Sequence, residues 1–259
     1  MTIRVAVAGA TGKLGSVAAR LIEESDDFEL VARLNSRSPL EEMLDAELLV
    51  DMTLPSVSPR IVGFAVDKGL NVLVGTSGWS ADRILELERR VAARGSGGAV
   101  VIPNFSLGSA LGTAFATVAA RFFDSIEIVE THGAGKVDSP SGTAVRTAEL
   151  IGAARAERGP VAAPHTDQRA RGQQVASVPI HSLRMMGAGA HQQVIFGGAG
   201  ETLTIRHDAT GAQAYEAGIL LGLRAAATAT GVIVGLEKLV DLGIAEPDGK
   251  PPKPTVREA

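Results

Sequence analysis

Residues 130–144 read Glu-Thr-His-Gly-Ala-Gly-Lys-Val-Asp-Ser-Pro-Ser-Gly-Thr-Ala and carry the densest set of reactive side chains in the chain. His132 and Lys136 lie four apart. An imidazole titrates near neutral pH and suits proton donation to a carbon or nitrogen during a reduction, while a lysine ammonium neutralises an anion or yields a second proton. Ser141, Gly142 and Thr143 follow a proline and open a helix. Their backbone N–H groups, two hydroxyls and the positive end of the helix dipole suit a substrate carboxylate. Plainer readings exist for each group: a strand-end histidine satisfied by a backbone partner, and a solvated Lys136–Asp138 loop pair.

A second cluster, Gly9-Ala10-Thr11-Gly12-Lys13-Leu14-Gly15, follows the β-branched run Ile3–Ala8 and begins a helix. Glycines at this spacing let the backbone turn tightly and approach a pyrophosphate at a helix N-terminus, and strand before with helix after is the context the motif needs. A glycine turn serving only close helix packing is the alternative. The next strand ends at Arg33-Leu34-Asn35-Ser36-Arg37. A nicotinamide-binding fold reads the adenosine ribose at that point, with a carboxylate when NAD is selected. Asn35 and Ser36, flanked by Arg33 and Arg37, suit a 2′-phosphate instead, so NADPH is expected over NADH unless the arginines are merely surface cations. Gly75-Thr76-Ser77-Gly78 and Pro103-Asn104-Phe105-Ser106 fall at further strand ends, on the sheet edge where such folds bind ligands.

The elements that must hold these groups alternate strand and helix over the first hundred residues: strands at Ile3–Ala8, Leu30–Leu34, Leu48–Asp51, Asn71–Val74 and Ala99–Ile102, helices at Lys13–Glu24, Pro59–Lys68 and Ala81–Arg94. That pattern builds a doubly wound parallel sheet. After Ser106 it changes to α+β, with a helix over Gly108–Arg121, a strand over Ser125–Thr131, the reactive segment as a loop, and a helix over Gly142–Glu157. A surface loop follows over 159–173, then strands at Val175–Arg184, Gln192–Gly197 and Glu201–Asp208, and helices at Tyr215–Ala229 and Leu236–Leu242. The expected division is a dinucleotide-binding domain over 1–105, rejoined by 215–245, a substrate and oligomerisation domain over 106–214, and a flexible tail over 246–259.

Composition narrows the chemistry. A length of 259 residues with 45% apolar content suffices for two lobes with real cores. The absence of cysteine excludes disulfide scaffolds, thiolate metal sites and cysteine nucleophiles. A net charge of -4 without a basic run argues against nucleic acid, and no apolar run is long enough to span a membrane. The histidines and carboxylates show no metal-ligand spacing, so no metal is expected. With no leader visible ahead of the first strand, a cytoplasmic location is expected.

The glycine cluster, the Gly75–Gly78 turn, Pro103-Asn104-Phe105, the run Lys136-x-Asp-x-Pro-Ser-Gly-Thr-Ala144 and Gly200-Glu-Thr-Leu-Thr-Ile-Arg-His-Asp208 together resemble the 4-hydroxy-tetrahydrodipicolinate reductase family, over about residues 3–243. The resemblance implies a Rossmann-type cofactor domain, an α+β domain whose sheet mediates homotetramer assembly, and reduction of a cyclic dicarboxylate by NADPH or NADH on the route to diaminopimelate and lysine. It further implies that Gly9 to Leu14 hold the pyrophosphate, that Asn35 and Ser36, with Arg37 beside them, face the ribose, and that Gly75, Thr76 and Ser77 with Ile102, Pro103, Asn104 and Phe105 flank the nicotinamide. His132 matches the family's acid/base, Lys136 its second proton donor, and Gly142 and Thr143 its substrate contacts. Gly133 and Gly135 stand where the family commonly has histidines. That departure leaves open a related reductase for another small cyclic imine or enamine acid, and beyond it an NADPH-binding sensor without turnover.

Overall fold

Valine, leucine and alanine dominate six short runs that pair in parallel in the computed structural model, which describes residues 2–240. Five follow the expected pattern: β1 (Ile3–Ala8), β2 (Phe28–Leu34), β3 (Leu48–Asp51), β4 (Asn71–Val74) and β5 (Gly98–Val101). Leu48 to Val50 and Ala99 to Val101 are buried along their whole length, because a parallel sheet is covered on both faces and its strands read as continuous apolar runs. On one face α1 (Lys13–Glu23) and α6 (Glu216–Ala227) bring Ile22, Ile219 and Leu223 against Val5, Val7 and Leu73. On the other, α2 (Ser58–Asp67) and α3 (Ala81–Arg94) bring Val62, Val66, Leu87 and Val91 against Ala6 and Leu49. β2 lies on one side of β1 and β3 on the other. The strand order therefore reverses at β1, which opens a crevice beyond its carboxyl end.

The sixth strand of this sheet, β11 (Gly231–Val234), pairs in parallel with β5. Its four residues are too few to show a period, and their partners lie some 130 positions earlier, so no local pattern announces them. Two other links tie the returning chain to the sheet. Asn71 Nδ2 donates to the carbonyls of Ala226 and Ala227 at 2.9 and 3.0 Å, closing the end of α6, and its Oδ1 accepts from the Gly98 N–H at 3.1 Å. Gly218 lets α6 lie directly on the Phe105 carbonyl, where any side chain would collide.

A second, five-stranded sheet runs β10-β9-β6-β8-β7, made of β6 (Ser125–Gly133), β7 (Gln173–Val175), β8 (Val178–Met185), β9 (Ala190–Gly198) and β10 (Glu201–Ala209). α4 (Leu107–Ala119) and α5 (Gly142–Ala154) cover one face, over a core that includes Ile126, Ile128, Ile151, Ile180, Val194 and Phe196. β6 and β8 pair in parallel; the other pairs are antiparallel.

Several expected boundaries change. The strand expected over Val175–Arg184 breaks at Ala176 and Ser177, whose φ values of 47° and 69° form a two-residue hairpin turn between β7 and β8. Alanine and serine rarely take that conformation, so the residues give no warning. β6 runs two residues beyond Thr131, because His132 and Gly133 continue the ladder against Arg184 and Met185; His132 is thus a strand residue rather than part of a loop. α6 ends at Ala227 and α5 at Ala154, each short of expectation. The helix expected over Leu236–Leu242 is a single 3-10 turn, Leu236–Lys238, within the described residues. The expected tail over 246–259, and the end of the 215–245 segment, lie outside them.

Candidate active site

Alternation along β6 turns Ile126, Ile128, Glu130 and His132 toward the helices, and the polar pair lies where α5 begins. Glu130 is fully buried. His132 Nδ1 donates to Glu130 Oε2 at 2.6 Å, and Arg184, directly across the ladder from His132, grips the same carboxylate through Nη1 (2.9 Å) and Nη2 (2.8 Å). The Ser141 N–H adds a fourth bond, to Oε1, at 3.2 Å. Burial alone would raise the Glu130 carboxyl, but hydrogen bonds from Arg184, Ser182 and His132 outweigh it and hold the group down at about 2. With Nδ1 committed inward, Nε2 is the nitrogen left for a ligand, on a side chain 19% exposed.

Lys136 joins the same network through Asp138. Its Nζ is 2.7 Å from Asp138 Oδ1, so the Lys136–Asp138 pair does form, and Arg184 Nη2 also donates to the Asp138 carbonyl at 2.6 Å. Burial pushes Asp138 upward, yet the Lys136 hydrogen bond and charge, with backbone N–H groups including that of Gly142, bring it below its ordinary value. Asp138 therefore already draws on a cation and a helix-end amide, the kind of environment that a ligand carboxylate requires.

Of the three residues expected to bind substrate, Ser141 is the helix cap. Its Oγ accepts from the Ala144 N–H at 3.3 Å, while its own N–H is held by Glu130. Gly142 faces open space, and Thr143 Oγ1 accepts from Asn104 Nδ2 at 3.2 Å. Asn104 Nδ2 also donates to Ser109 Oγ, and its Oδ1 accepts from the Ser106 N–H, so the loop after β5 is fastened to the start of α5. His207 joins the same junction, with Nε2 3.0 Å from Ser106 Oγ. Burial lowers its imidazole despite the opposing charge of Asp208.

The glycine cluster lies in the crevice beyond β1. Gly9 has φ +78°, and a Cβ there or at Gly15 would run into backbone: the Met52 carbonyl in the first case, the Gly9 carbonyl in the second. Gly12, extended, begins α1 with no side-chain cap, which leaves the N–H groups of the first turn available to an anion. Ala10 is buried, whereas Thr11 and Lys13 are exposed and Leu14 is half-buried beside the loop. This cradle fits a dinucleotide pyrophosphate. Beyond β2, Asn35 Oδ1 accepts from the Arg37 N–H at 2.9 Å and leaves its amide nitrogen, Ser36 and the Arg37 side chain facing solvent. Arg33 is instead paired with Glu23.

Gly75 is wedged against Met52 and Phe105 with no room for a side chain. Thr76 is buried and accepts from the Thr53 N–H at 2.8 Å, while Ser77 and Pro103 are exposed. Ile102 and Phe105 are core residues, 0% and 1% exposed, so what they offer a ligand is backbone. Residue types alone pointed neither to Glu130 nor to Arg184. The Glu-x-His spacing on a strand was the available signal for the first; the second depends on the β6–β8 register.

The family model for the N-terminus of dihydrodipicolinate reductase matches residues 3–105, and that for its C-terminus matches 108–240. A 4-hydroxy-tetrahydrodipicolinate reductase of Clavibacter sepedonicus is 63% identical over 242 residues, covering 93% of this chain and 87% of the relative. The enzyme of that name from Streptomyces griseus subsp. griseus is 46% identical, over 93% of this chain and 98% of its own. Among solved structures, a dipicolinate-bound dihydrodipicolinate reductase from Paenisporosarcina sp. TG-14 superposes with a TM-score of 0.77 at 29% identity, covering 93% of this chain and all of that one. With both halves matched and relatives similar across almost its full length, the chain belongs to the dihydrodipicolinate reductase family.

Proposed function

We propose that the chain reduces 4-hydroxy-tetrahydrodipicolinate to tetrahydrodipicolinate, on the route to diaminopimelate and lysine, with NADPH used in preference to NADH. The observation that carries this reading is the meeting of His132 and the capped start of α5 on Glu130, with Lys136 tied to the same network through Asp138 and Arg184, in a chain of this family. The cradle of Gly9, Ala10, Thr11, Gly12, Lys13 and Leu14 holds the cofactor pyrophosphate, and Asn35, Ser36 and Arg37 face its ribose. Gly75, Thr76 and Ser77 with Ile102, Pro103, Asn104 and Phe105 line the nicotinamide end. When bound, that cofactor supplies the hydride, and the 4-hydroxyl of the substrate departs as water as the ring is reduced. His132 delivers a proton from Nε2; Lys136 exchanges Asp138 for a substrate carboxylate and balances its charge; Gly142 and Thr143 orient the same group.

Gly133 and Gly135 remain compatible with this function. A Cβ at position 133 would touch only the Ala188 carbonyl oxygen, at 3.6 Å, and one at 135 nothing at all, so both positions are open rather than filled by a replacement side chain. The reading extends to the rest of the chain: a cofactor domain over 1–105 completed by 215–245, a substrate domain over 106–214, and a cytoplasmic homotetramer. Assembly would use the face of the second sheet that carries Leu183 and Met185, opposite its helices.

Loss of NADPH absorbance tests the activity, with the substrate made in the cuvette by its synthase from pyruvate and aspartate semialdehyde. Rapid oxidation is expected, and His132→Ala and Lys136→Ala should each lower kcat/KM by about 100-fold or more while NADPH binding persists. Tight NADPH binding without turnover would refute the substrate. Wild-type kcat/KM in both variants would refute the site.

A further inference from the structure

Glu130 is the deepest polar group in the site, and it touches neither end of the expected chemistry. It is nonetheless bonded to all the parts that must be arranged. His132 Nδ1 donates to it at 2.6 Å, Ser141 at the start of α5 donates its N–H at 3.2 Å, and Arg184 holds both oxygens. Arg184 in turn holds the Asp138 carbonyl at 2.6 Å, on the loop that carries Lys136. We propose that Glu130, clamped by Arg184, is a positioning residue that fixes His132 as the Nδ1–H tautomer with Nε2 directed at the substrate, and sets the proton donor, the α5 anion site and the Lys136 loop in one register. The inference rests on the reading of His132 as the proton donor.

The physical reasons are separable. A carboxylate only accepts hydrogen bonds, so it dictates which ring nitrogen carries the inward proton. Free histidine is under no such instruction, and an imidazole with Nε2 turned inward presents the wrong atom to substrate. When the ring holds a second proton at Nε2, Glu130 faces the resulting charge at hydrogen-bond distance. A lone buried carboxylate could not serve in this way. The bidentate Arg184 keeps Glu130 ionised and stops it from rotating toward another donor.

The first test needs no variant. Solid-state 15N spectra of the full-length protein, labelled only at histidine and recorded where the rings are neutral, report the tautomer of His132, assigned by its loss in His132→Ala. The expected signal is protonated Nδ1 with bare Nε2. A neutral ring protonated at Nε2 overturns the proposal. In kinetics, Glu130→Gln should lower kcat about 10- to 100-fold while KM for NADPH stays within about twofold, and its His132 signal should lose the single Nδ1–H form.

Glu130→Gln strips the half-buried Arg184 of its charged partner, so the double variant Glu130→Gln/Arg184→Met, which removes both charges, keeps the test usable if the single variant fails to fold. The same loss of kcat and of tautomer is expected. A kcat within about twofold of wild type in either folded variant overturns the proposal. Failure here is distinct from failure of the functional reading. An inactive wild type refutes the substrate and a fully active His132→Ala refutes the proton donor, whereas an active wild type, an inactive His132→Ala and an unaffected Glu130→Gln refute only the positioning role.

Discussion

Replacing the glycines of the β1–α1 loop one at a time should separate packing from ligand approach, because the space at each position differs. A Cβ at Gly15 would fall 2.0 Å from the Gly9 carbonyl oxygen and 2.7 Å from its carbon, both rigid backbone. To reach ordinary contact, α1 must retreat by roughly 1.4 Å, which drags Ala18 and Ile22 from the core against β1. Overpacking of this kind costs about 1–3 kcal/mol, and the N–H groups at the start of α1 move with it. Gly15→Ala should therefore lose about 2 kcal/mol in urea unfolding and bind NADPH at least about tenfold more weakly, since misplacement by ~1 Å is enough for such losses. At Gly12 the nearest atom would be 3.2 Å away, so Gly12→Ala should barely change stability, while its methyl group stands in the path of the pyrophosphate and weakens binding. Gly135→Ala, with nothing within 4 Å, should change neither and serves as the control. Fluorescence titration with NADPH beside urea denaturation measures both quantities. Gly15→Ala with wild-type stability and wild-type NADPH affinity would refute the reasoning.

Arg37→Ala should lower kcat/KM for NADPH about fivefold, as expected for an exposed ion pair with a phosphate, and leave NADH unchanged; Arg33→Ala should alter neither, because Arg33 already binds Glu23. Equal use of the two cofactors by the wild type would defeat this prediction. Because Glu130 is held at about 2 in the folded chain against an ordinary value of 4.5, its contribution is complete above pH 4.5 and disappears as pH falls through 2. Over that window, urea midpoints should show the wild type losing about 3 kcal/mol relative to Glu130→Gln, and a constant difference between the two would contradict the ion pair. Asn104→Ala should cost about 1–2 kcal/mol and raise KM for the substrate more than KM for NADPH. An unchanged substrate KM would show that Thr143 needs no support from the loop.

Legibility in the sequence followed the range of the interactions. β1, β3 and β4 could be read to the residue, since buried parallel strands are written as apolar runs between turn signals. The glycine turn before α1 and the α5 cap were equally local, each confined to a few consecutive residues. Arg184 was invisible as a site residue because 54 positions separate it from Glu130 and only the β6–β8 register unites them. β11 escaped for the same reason. Glu130 on its own is one more strand carboxylate; what it binds depends on His132 two residues on and on Arg184 in the neighbouring strand. Ala176 and Ser177 hid a turn because their backbone conformation is imposed by the pairing of β7 with β8 rather than by their own preferences.

The hydrogen bond from Asn104 to Thr143 gives two ligands a common part. Asn104 sits on the loop expected to line the nicotinamide, and Thr143 on the helix end expected to hold the substrate carboxylate. A change that either ligand imposes on this bond is a coupling free energy, and thermodynamic linkage makes it symmetric: the factor by which bound cofactor alters affinity for a substrate analogue equals the factor by which the analogue alters affinity for cofactor. A reductase built this way ties the grip of its cleft on the acid to the presence of reducing power, and its grip on reducing power equally to the acid.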